Sequence, residues 1–449
     1  MNLMNWEVEI VARVAFHTLG CKVNQYETEA MIDLFKKANY KIVNFQNPAD
    51  LYIINSCTVT NQAASKSRKK ARRAKRRNPD AKVIMVGCYP QAFPDEVDEV
   101  EEIDHFIGAE GKKDIVNLVE ETIKEEDYDF LNEIKRYEDI TLYEELRVDD
   151  VRQTTRANVK IEDGCNQFCS YCIIPYARGP VRSRKKESVL SEIKSLVDNG
   201  IREIILTGTH LGNYGLDNDE PGALSKLVEE ITRLDGEFRL RLSSIEVTEI
   251  DDRLIDLLEQ QEKLCPHLHI PLQSGSDDIL EKMRRPYNQD DFRIMIKKLR
   301  KRIPELAITT DVIVGFPGET EENFRETYDF IKEMEFSRLH VFPFSVREGT
   351  PASNMSNRVH GDTKNKRSKK LRNLNKKLML KYQQRFINEV RSVVIEENRD
   401  HETDMLSGVT DNYIRVLIDG LDKYREQMVE VKLLEKYDYE NVLAKIIDV

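Results

Sequence analysis

From residue 11 to residue 124 short apolar runs alternate with stretches of helical periodicity. The runs at 11–19, 40–45, 51–55, 82–87 and 106–108 read as strands, and 26–37, 63–77 and 112–124 as helices. This βα alternation predicts a doubly wound parallel sheet covered by helices. It resumes at 157, with strands expected at 158–162, 203–207, 239–244, 267–272, 307–314 and 338–344. Helices are expected between them at 189–198, 223–234, 251–259, 290–301 and 321–333. Six strand–helix units are too few to close an eight-fold barrel. They fit a partial β/α barrel with its chemistry at the carboxyl ends of the strands. A long basic helix follows at 363–390, and the texture then changes to short strands at 391–396, 405–410, 413–418, 427–433 and 441–447. Short strands between turns predict a small antiparallel barrel. The chain therefore reads as α/β in three domains, 11–124, 151–385 and 386–449, with 125–150 an acidic linker.

Composition alters this picture little. With 449 residues, 40% hydrophobic and 33% charged, the chain reads as an ordinary globular protein too long for one core. No apolar run approaches the ~18 residues a membrane span needs, and residues 1–11, with two glutamates and no lysine, make a poor signal peptide. Charge is more informative. The formal net charge is -11, yet 66–77 is almost wholly cationic and a second basic stretch runs from 364 to 377. Phosphates respond to local patches rather than to the total, so RNA binding stays open beside the alternative of solvated helix faces.

The cysteines carry the chemistry. Cys165, Cys169 and Cys172 form a C-x3-C-x2-C triplet just after the first strand of the partial barrel. Three thiolates are one short of a closed tetrahedral zinc site or a fully ligated four-iron cluster. On a cluster they leave one iron open, where S-adenosylmethionine can chelate; the spacing resembles the radical S-adenosylmethionine signature. A zinc knuckle completed by Cys265, His267 or His269 is the alternative, although zinc sites usually arrive as C-x2-C pairs. Cys21, Cys57 and Cys88 fall just after three strands of the first sheet, the edge where open α/β sheets place ligands. Seven cysteines with no signal peptide argue for a reducing cytoplasm and metal chemistry rather than disulfides.

Three further motifs join these. They are Thr18-Leu-Gly-Cys21-Lys-Val-Asn-Gln-Tyr-Glu-Thr-Glu, Asn55-Ser-Cys57-Thr-Val-Thr and Val86-Gly-Cys88-Tyr-Pro-Gln. Downstream stand Pro175-Tyr-Ala-Arg178-Gly-Pro-Val-Arg182-Ser-Arg184, Pro271-Leu-Gln-Ser-Gly-Ser and Thr310-Asp-Val-Ile-Val-Gly-Phe-Pro-Gly-Glu-Thr. Over residues 11–449 the chain resembles the methylthiotransferases of the radical S-adenosylmethionine superfamily, and its last domain resembles the TRAM RNA-binding module. The resemblance implies two [4Fe-4S] clusters, one on the triplet and an auxiliary one on Cys21, Cys57 and Cys88. It implies that the first cleaves S-adenosylmethionine to a 5′-deoxyadenosyl radical and that the auxiliary cluster carries the sulfur. A low-potential donor such as a flavodoxin or ferredoxin would supply electrons to a cytoplasmic monomer.

Further site residues follow from the same resemblance. Thr207, Gly208 and Thr209, after the second barrel strand, would present backbone to the methionine amino group. Ser244, Glu246, Gln273 and Asp311 are candidate cofactor contacts at strand ends, against polar residues satisfied by backbone. Gly315 and Gly318 would allow approach to the adenine, and Arg182 and Arg184 would orient a carboxylate or form surface ion pairs. Lys364, Lys366, Arg367, Lys369 and Lys370 are the candidate RNA contacts. The run Gly20-Cys21-Lys22-Val23-Asn24-Gln25-Tyr26-Glu27 resembles the branch that methylthiolates N6-threonylcarbamoyladenosine at position 37, beside the tRNA anticodon, with Lys22 a partner for the threonyl carboxylate. Isopentenyladenosine tRNA, a ribosomal protein, or a non-catalytic zinc RNA-binding role are the alternatives.

Overall fold

The structure, a computed structural model, describes residues 12–124, 134–148 and 155–447. Residues 1–11, and 125–133 and 149–150 of the expected linker, lie outside them. The chain forms two compact units: Met1–Asp149 with Ile173–Pro180, and Asp150–Cys172 with Val181–Val449.

The first unit is a five-stranded parallel sheet in the order β2-β1-β3-β4-β5, from β1 (Arg13–Thr18), β2 (Lys41–Val43), β3 (Leu51–Ser56), β4 (Lys82–Gly87) and β5 (His105–Ile107). Helices α1 (Lys22–Lys37), α2 (Asn61–Arg77), α3 (Cys88–Ala92), α4 (Pro94–Asp98) and α5 (Ile115–Lys124) complete it. Alternation along β3 sends Tyr52 and Ile54 into one apolar cluster and Leu51 and Ile53 into another, so both faces are covered, as in a doubly wound fold. In α2 the small residues Ala64, Ser67, Ala71 and Ala74 are buried, which turns the cationic run outward. Part of that run is neutralised nearby: Arg68 faces Glu96 (3.5 Å), Arg72 Glu102 (3.4 Å) and Lys75 Asp104 (2.8 Å).

Two expectations about boundaries need correction. Residues 134–148 do not act as a free linker but pack on the first unit, burying Ile140, Leu146 and Val148, with Tyr26 Oη donating to the Leu146 carbonyl at 2.6 Å. The short helix α6 (Ile174–Arg178), directly after the triplet, also belongs to the first unit. The acidic composition of the first and the brevity of the second hid both.

The second unit opens with β6 (Arg156–Lys160) and β7 (Glu162–Asp163), the latter paired with β8 (Arg182–Ser183). Strands β9 (Glu203–Thr207), β10 (Arg239–Leu242), β11 (His267–His269), β12 (Ala307–Val314) and β13 (Arg338–Pro343) follow. Their order is β6-β9-β10 and β11-β12-β13, joined by parallel bridges from Leu240 to Leu264 and from Ser244 to His269. This is the expected six-stranded partial barrel. Helices α7 (Lys186–Asp198), α8 (Ala223–Thr232), α9 (Asp252–Gln260), α10 (Asp277–Lys282), α11 (Gln289–Arg302) and α12 (Glu321–Met334) accompany it. Val159, Ile204, Leu206, Leu240, Leu242, Leu268, Ile308, Val312 and Leu339 join the helices in one core. By the period-two rule the alternating residues Glu203, Arg239, Arg241, His267, His269, Asp311 and His340 line the inner face.

Helix α13 (Gly361–Gln384) leads to β14 (Val390–Ile395), β15 (Leu406–Thr410), β16 (Arg415–Ile418), β17 (Met428–Lys436) and β18 (Asn441–Ile446). These strands close a barrel that is antiparallel except for the parallel β16–β18 pair. It shares the compact unit of the partial barrel instead of standing alone. Arg239 donates to the carbonyls of Ser392 (3.0 Å) and Val409 (2.7 Å), and Arg241 to those of Asp411 (3.0 Å) and Thr410 (3.1 Å). Tyr413 stacks on His267 at 4.0 Å.

Candidate active site

In the second unit the triplet loop leaves the carboxyl end of β7. Cys165 and Cys169 are buried and Cys172 half-buried. The loop is pinned from several sides: Ser170 N donates to the Met283 carbonyl at 3.0 Å, Ser170 Oγ to that of Lys282 at 2.7 Å, and Ala352 N to that of Ser170 at 2.7 Å. Cys165 Sγ lies 3.5 Å from His210 Nδ1, while His210 Nε2 faces Glu249 at 2.7 Å. His210 N donates to Glu162 at 2.8 Å, and burial pushes the Glu162 carboxyl well above its ordinary range. Arg285 donates to Cys169 Sγ at 3.1 Å and pairs with Glu246. Burial pushes the Cys169 thiol up, and this guanidinium opposes the shift.

The donor set suits an iron cluster better than zinc. Three thiolates close a tetrahedral zinc site only when a fourth protein ligand joins them. The candidates for a fourth zinc ligand have other partners. Cys265 is buried beside Arg241, His267 shares a hydrogen bond with Thr309 at 3.2 Å, and His269 faces Asp311 at 3.3 Å.

In the first unit Cys21 caps α1, Cys57 follows β3 and Cys88 opens α3, so all three stand at the carboxyl edge of adjacent strands. Burial pushes the Cys88 thiol up to about 12, and the nearby Cys57 and Cys21 push the same way. Two glycines make this gathering possible. A Cβ on Gly20 (φ +118°) would come within 2.9 Å of Cys57 Cβ, and one on Gly87 (φ +95°) within 2.6 Å of Asn55 Oδ1. Asn24 ties the loops together, donating to the carbonyls of Leu19 (2.9 Å) and Ser56 (2.8 Å) and accepting from Cys21 Sγ (3.6 Å). Arg178 is buried here, its Nε 3.2 Å from Cys88 Sγ.

The remaining candidates divide. Gln273 (φ +62°) and Asp311 share a backbone hydrogen bond at 2.9 Å, and Asp311 stays half-exposed between His269 and His340. Burial pushes the His340 pKa down, against the pull of Asp311. Ser244 is half-buried and bridged to His269. Glu246 pairs with Arg285 and caps the next turn. The Thr207 carbonyl is taken by Ile161 N at 2.9 Å, Thr209 Oγ1 donates to Asp163 at 2.9 Å, and a Cβ on Gly208 would meet Glu162 at 2.6 Å. Arg182 and Arg184 are neither surface pairs nor open ligands; both are buried, beside Asp163 (3.7 Å) and Glu192. Gly315 makes room for the Lys364 side chain, and Gly318 N bonds the Asn357 carbonyl at 2.9 Å. Arg367 is buried against Glu319 and Glu321, which removes it from the RNA-facing set, and Lys364 is half-buried with Nζ 3.2 Å from the Phe344 carbonyl. Lys366, Lys369 and Lys370 remain exposed, and Lys22 is half-buried at the start of α1.

Sequence reading missed Arg178, His210, Glu249, Arg285 and His340. Arg178 lies within the 175–184 motif, but sequence carries no sign of which of its arginines meets a cysteine sulfur. Among the described residues no helix is long and apolar enough to cross a membrane.

A family model described as the Radical SAM superfamily matches residues 159–331, and one described as Uncharacterized protein family UPF0004 matches 13–108. The threonylcarbamoyladenosine tRNA methylthiotransferase MtaB of Bacillus subtilis is 45% identical, over 95% of this chain and 94% of its own. The tRNA-2-methylthio-N(6)-dimethylallyladenosine synthase of Caldicellulosiruptor saccharolyticus is 33% identical, over 93% of this chain and 89% of its own. Among solved structures, the radical S-adenosylmethionine methyltransferase TsrM of Kitasatospora setae shares the fold, with a TM-score of 0.59, 17% identity and 77% of each chain covered.

Proposed function

Because the chain belongs to the radical S-adenosylmethionine methylthiotransferases, we infer that it converts N6-threonylcarbamoyladenosine in tRNA to its 2-methylthio derivative. The observation that carries this reading is the near full-length 45% identity to a relative of that activity, against 33% to one named for dimethylallyladenosine. The enzyme uses S-adenosylmethionine and [4Fe-4S] clusters, which supply the one-electron cleavage, the sulfur and the methyl group that no side chain can provide.

In this reading Cys165, Cys169 and Cys172 would hold one cluster, and Cys21, Cys57 and Cys88 would hold the auxiliary one. Arg285 and His210 fix the Cys169 and Cys165 sulfurs through hydrogen-bonding contacts of 3.1 and 3.5 Å. The pinned, largely buried loop keeps water from those sulfurs. His269, Asp311 and His340, on the inner face of β11, β12 and β13, offer hydrogen bonds to a purine edge and can hold a proton between them. A flavodoxin or ferredoxin of low potential supplies electrons, and the enzyme works as a cytoplasmic monomer.

Reconstituted enzyme is expected to yield the 2-methylthio nucleoside from tRNA bearing threonylcarbamoyladenosine, read by mass analysis of the digested tRNA. Product only on isopentenylated tRNA would overturn the substrate. The exposed face of α13 supports a grip on the tRNA backbone. Charge reversal at Lys366, Lys369 and Lys370 is expected to weaken tRNA binding and flatten its salt dependence, by a slope of roughly 0.7 for each single-stranded phosphate no longer neutralised. Unchanged affinity and slope would leave that face a solvated helix surface.

A further inference from the structure

We propose that Arg178 is a positioning residue that sets the reduction potential of the iron site held by Cys21, Cys57 and Cys88, holding it higher than Cys88 would alone. The proposal rests on the reading of those cysteines as cluster ligands. Arg178 is 2% exposed. Each nitrogen of its guanidinium has a partner: Nε donates to Cys88 Sγ at 3.2 Å, Nη1 pairs with Glu27, and Nη2 donates to Asn24 Oδ1 at 2.6 Å and Glu27 at 3.2 Å. Glu27 is wholly buried and answers two cations, with Lys112 Nζ at 3.6 Å. The positive end of the network therefore points at the sulfur and its negative charge is held behind.

A hydrogen bond and a positive charge at a ligating thiolate stabilise the more negative, reduced state of a cluster, and the effect grows in a dry site. The triplet of the second unit offers a contrast. Arg285 also donates to a cysteine, at 3.1 Å, but its counter-ion Glu246 doubles as the cap of the following turn. A plain structural ion pair between Arg178 and Glu27 would need no nitrogen aimed at Cys88.

The test uses full-length protein in which Cys165, Cys169 and Cys172 are alanine, so that one iron site is loaded, with its midpoint potential measured by redox titration followed by electron paramagnetic resonance. R178Q is expected to lower the midpoint. E27Q, which keeps Arg178 but removes its buried counter-charge, is expected to raise it, and R178K to lie between R178Q and the parent. Opposite shifts in R178Q and E27Q cannot come from loosened packing, which would move both alike. Unchanged midpoints, shifts of the same sign, or loss of iron from both variants with circular dichroism intact would each overturn the proposal.

Discussion

Replacing Cys165, Cys169 and Cys172 by alanine is expected to abolish S-adenosylmethionine cleavage while leaving about half the iron, because four-iron clusters need their thiolate ligands and the two triplets sit in separate compact units. Replacing Cys21, Cys57 and Cys88 is expected to spare 5′-deoxyadenosine formation and eliminate the methylthio product. Each triplet is embedded in its own hydrogen-bond frame: Arg285, Glu246 and His210 around one, Asn24, Arg178 and Glu27 around the other. Removal of one set therefore leaves the other frame standing. Iron analysis and quantification of both nucleoside products check this. Disappearance of all iron from either triple variant, with secondary structure intact, would show that the two sites are not independent.

The second large effect comes from a buried cluster of ion pairs. Glu203 is 1% exposed and meets Arg239 Nε at 2.6 Å, Arg241 Nε at 3.2 Å and Arg156 Nε at 3.5 Å. These cations hold its carboxyl ionised, overcoming the penalty of burial. Arg239 and Arg241 in turn dock carbonyls of the C-terminal barrel. Glu203→Ala would leave buried guanidinium groups without their anion, a destabilisation of about 3–5 kcal/mol for a broken buried pair. A large drop in melting temperature is expected, with earlier proteolysis within the C-terminal barrel than in the parent. A melting temperature unchanged from the parent would mean that the carbonyl contacts alone hold the arginines.

The strand–helix order was legible because burial imposes a period on each element. Residues 203–207 and 307–314 match β9 and β12 to the residue, since a strand buried on its helix-covered face must present alternating or continuous apolar positions. The cysteine ligand candidates were legible for a different reason. Metal chemistry demands a residue type that ordinary surfaces do not cluster, so spacing alone marks it. Basic residues carry no such mark. Arg367 and Lys369 look alike in sequence, yet one is sealed against Glu319 and the other faces solvent. The same ambiguity concealed Arg178 among the arginines of its motif and made 134–148 look like a linker.

What the sequence by itself determined is the set of local choices: which segments become strand or helix, and which thiols stand at strand ends. Tertiary structure alone decided the partners, because a guanidinium or carboxylate is indifferent to its chain neighbours and responds to whatever charge burial brings within about 4 Å. That is why Glu203 binds arginines from β6 and β10, why Arg285 reaches back across more than a hundred residues to Cys169, and why the helix after the triplet folds with the other unit.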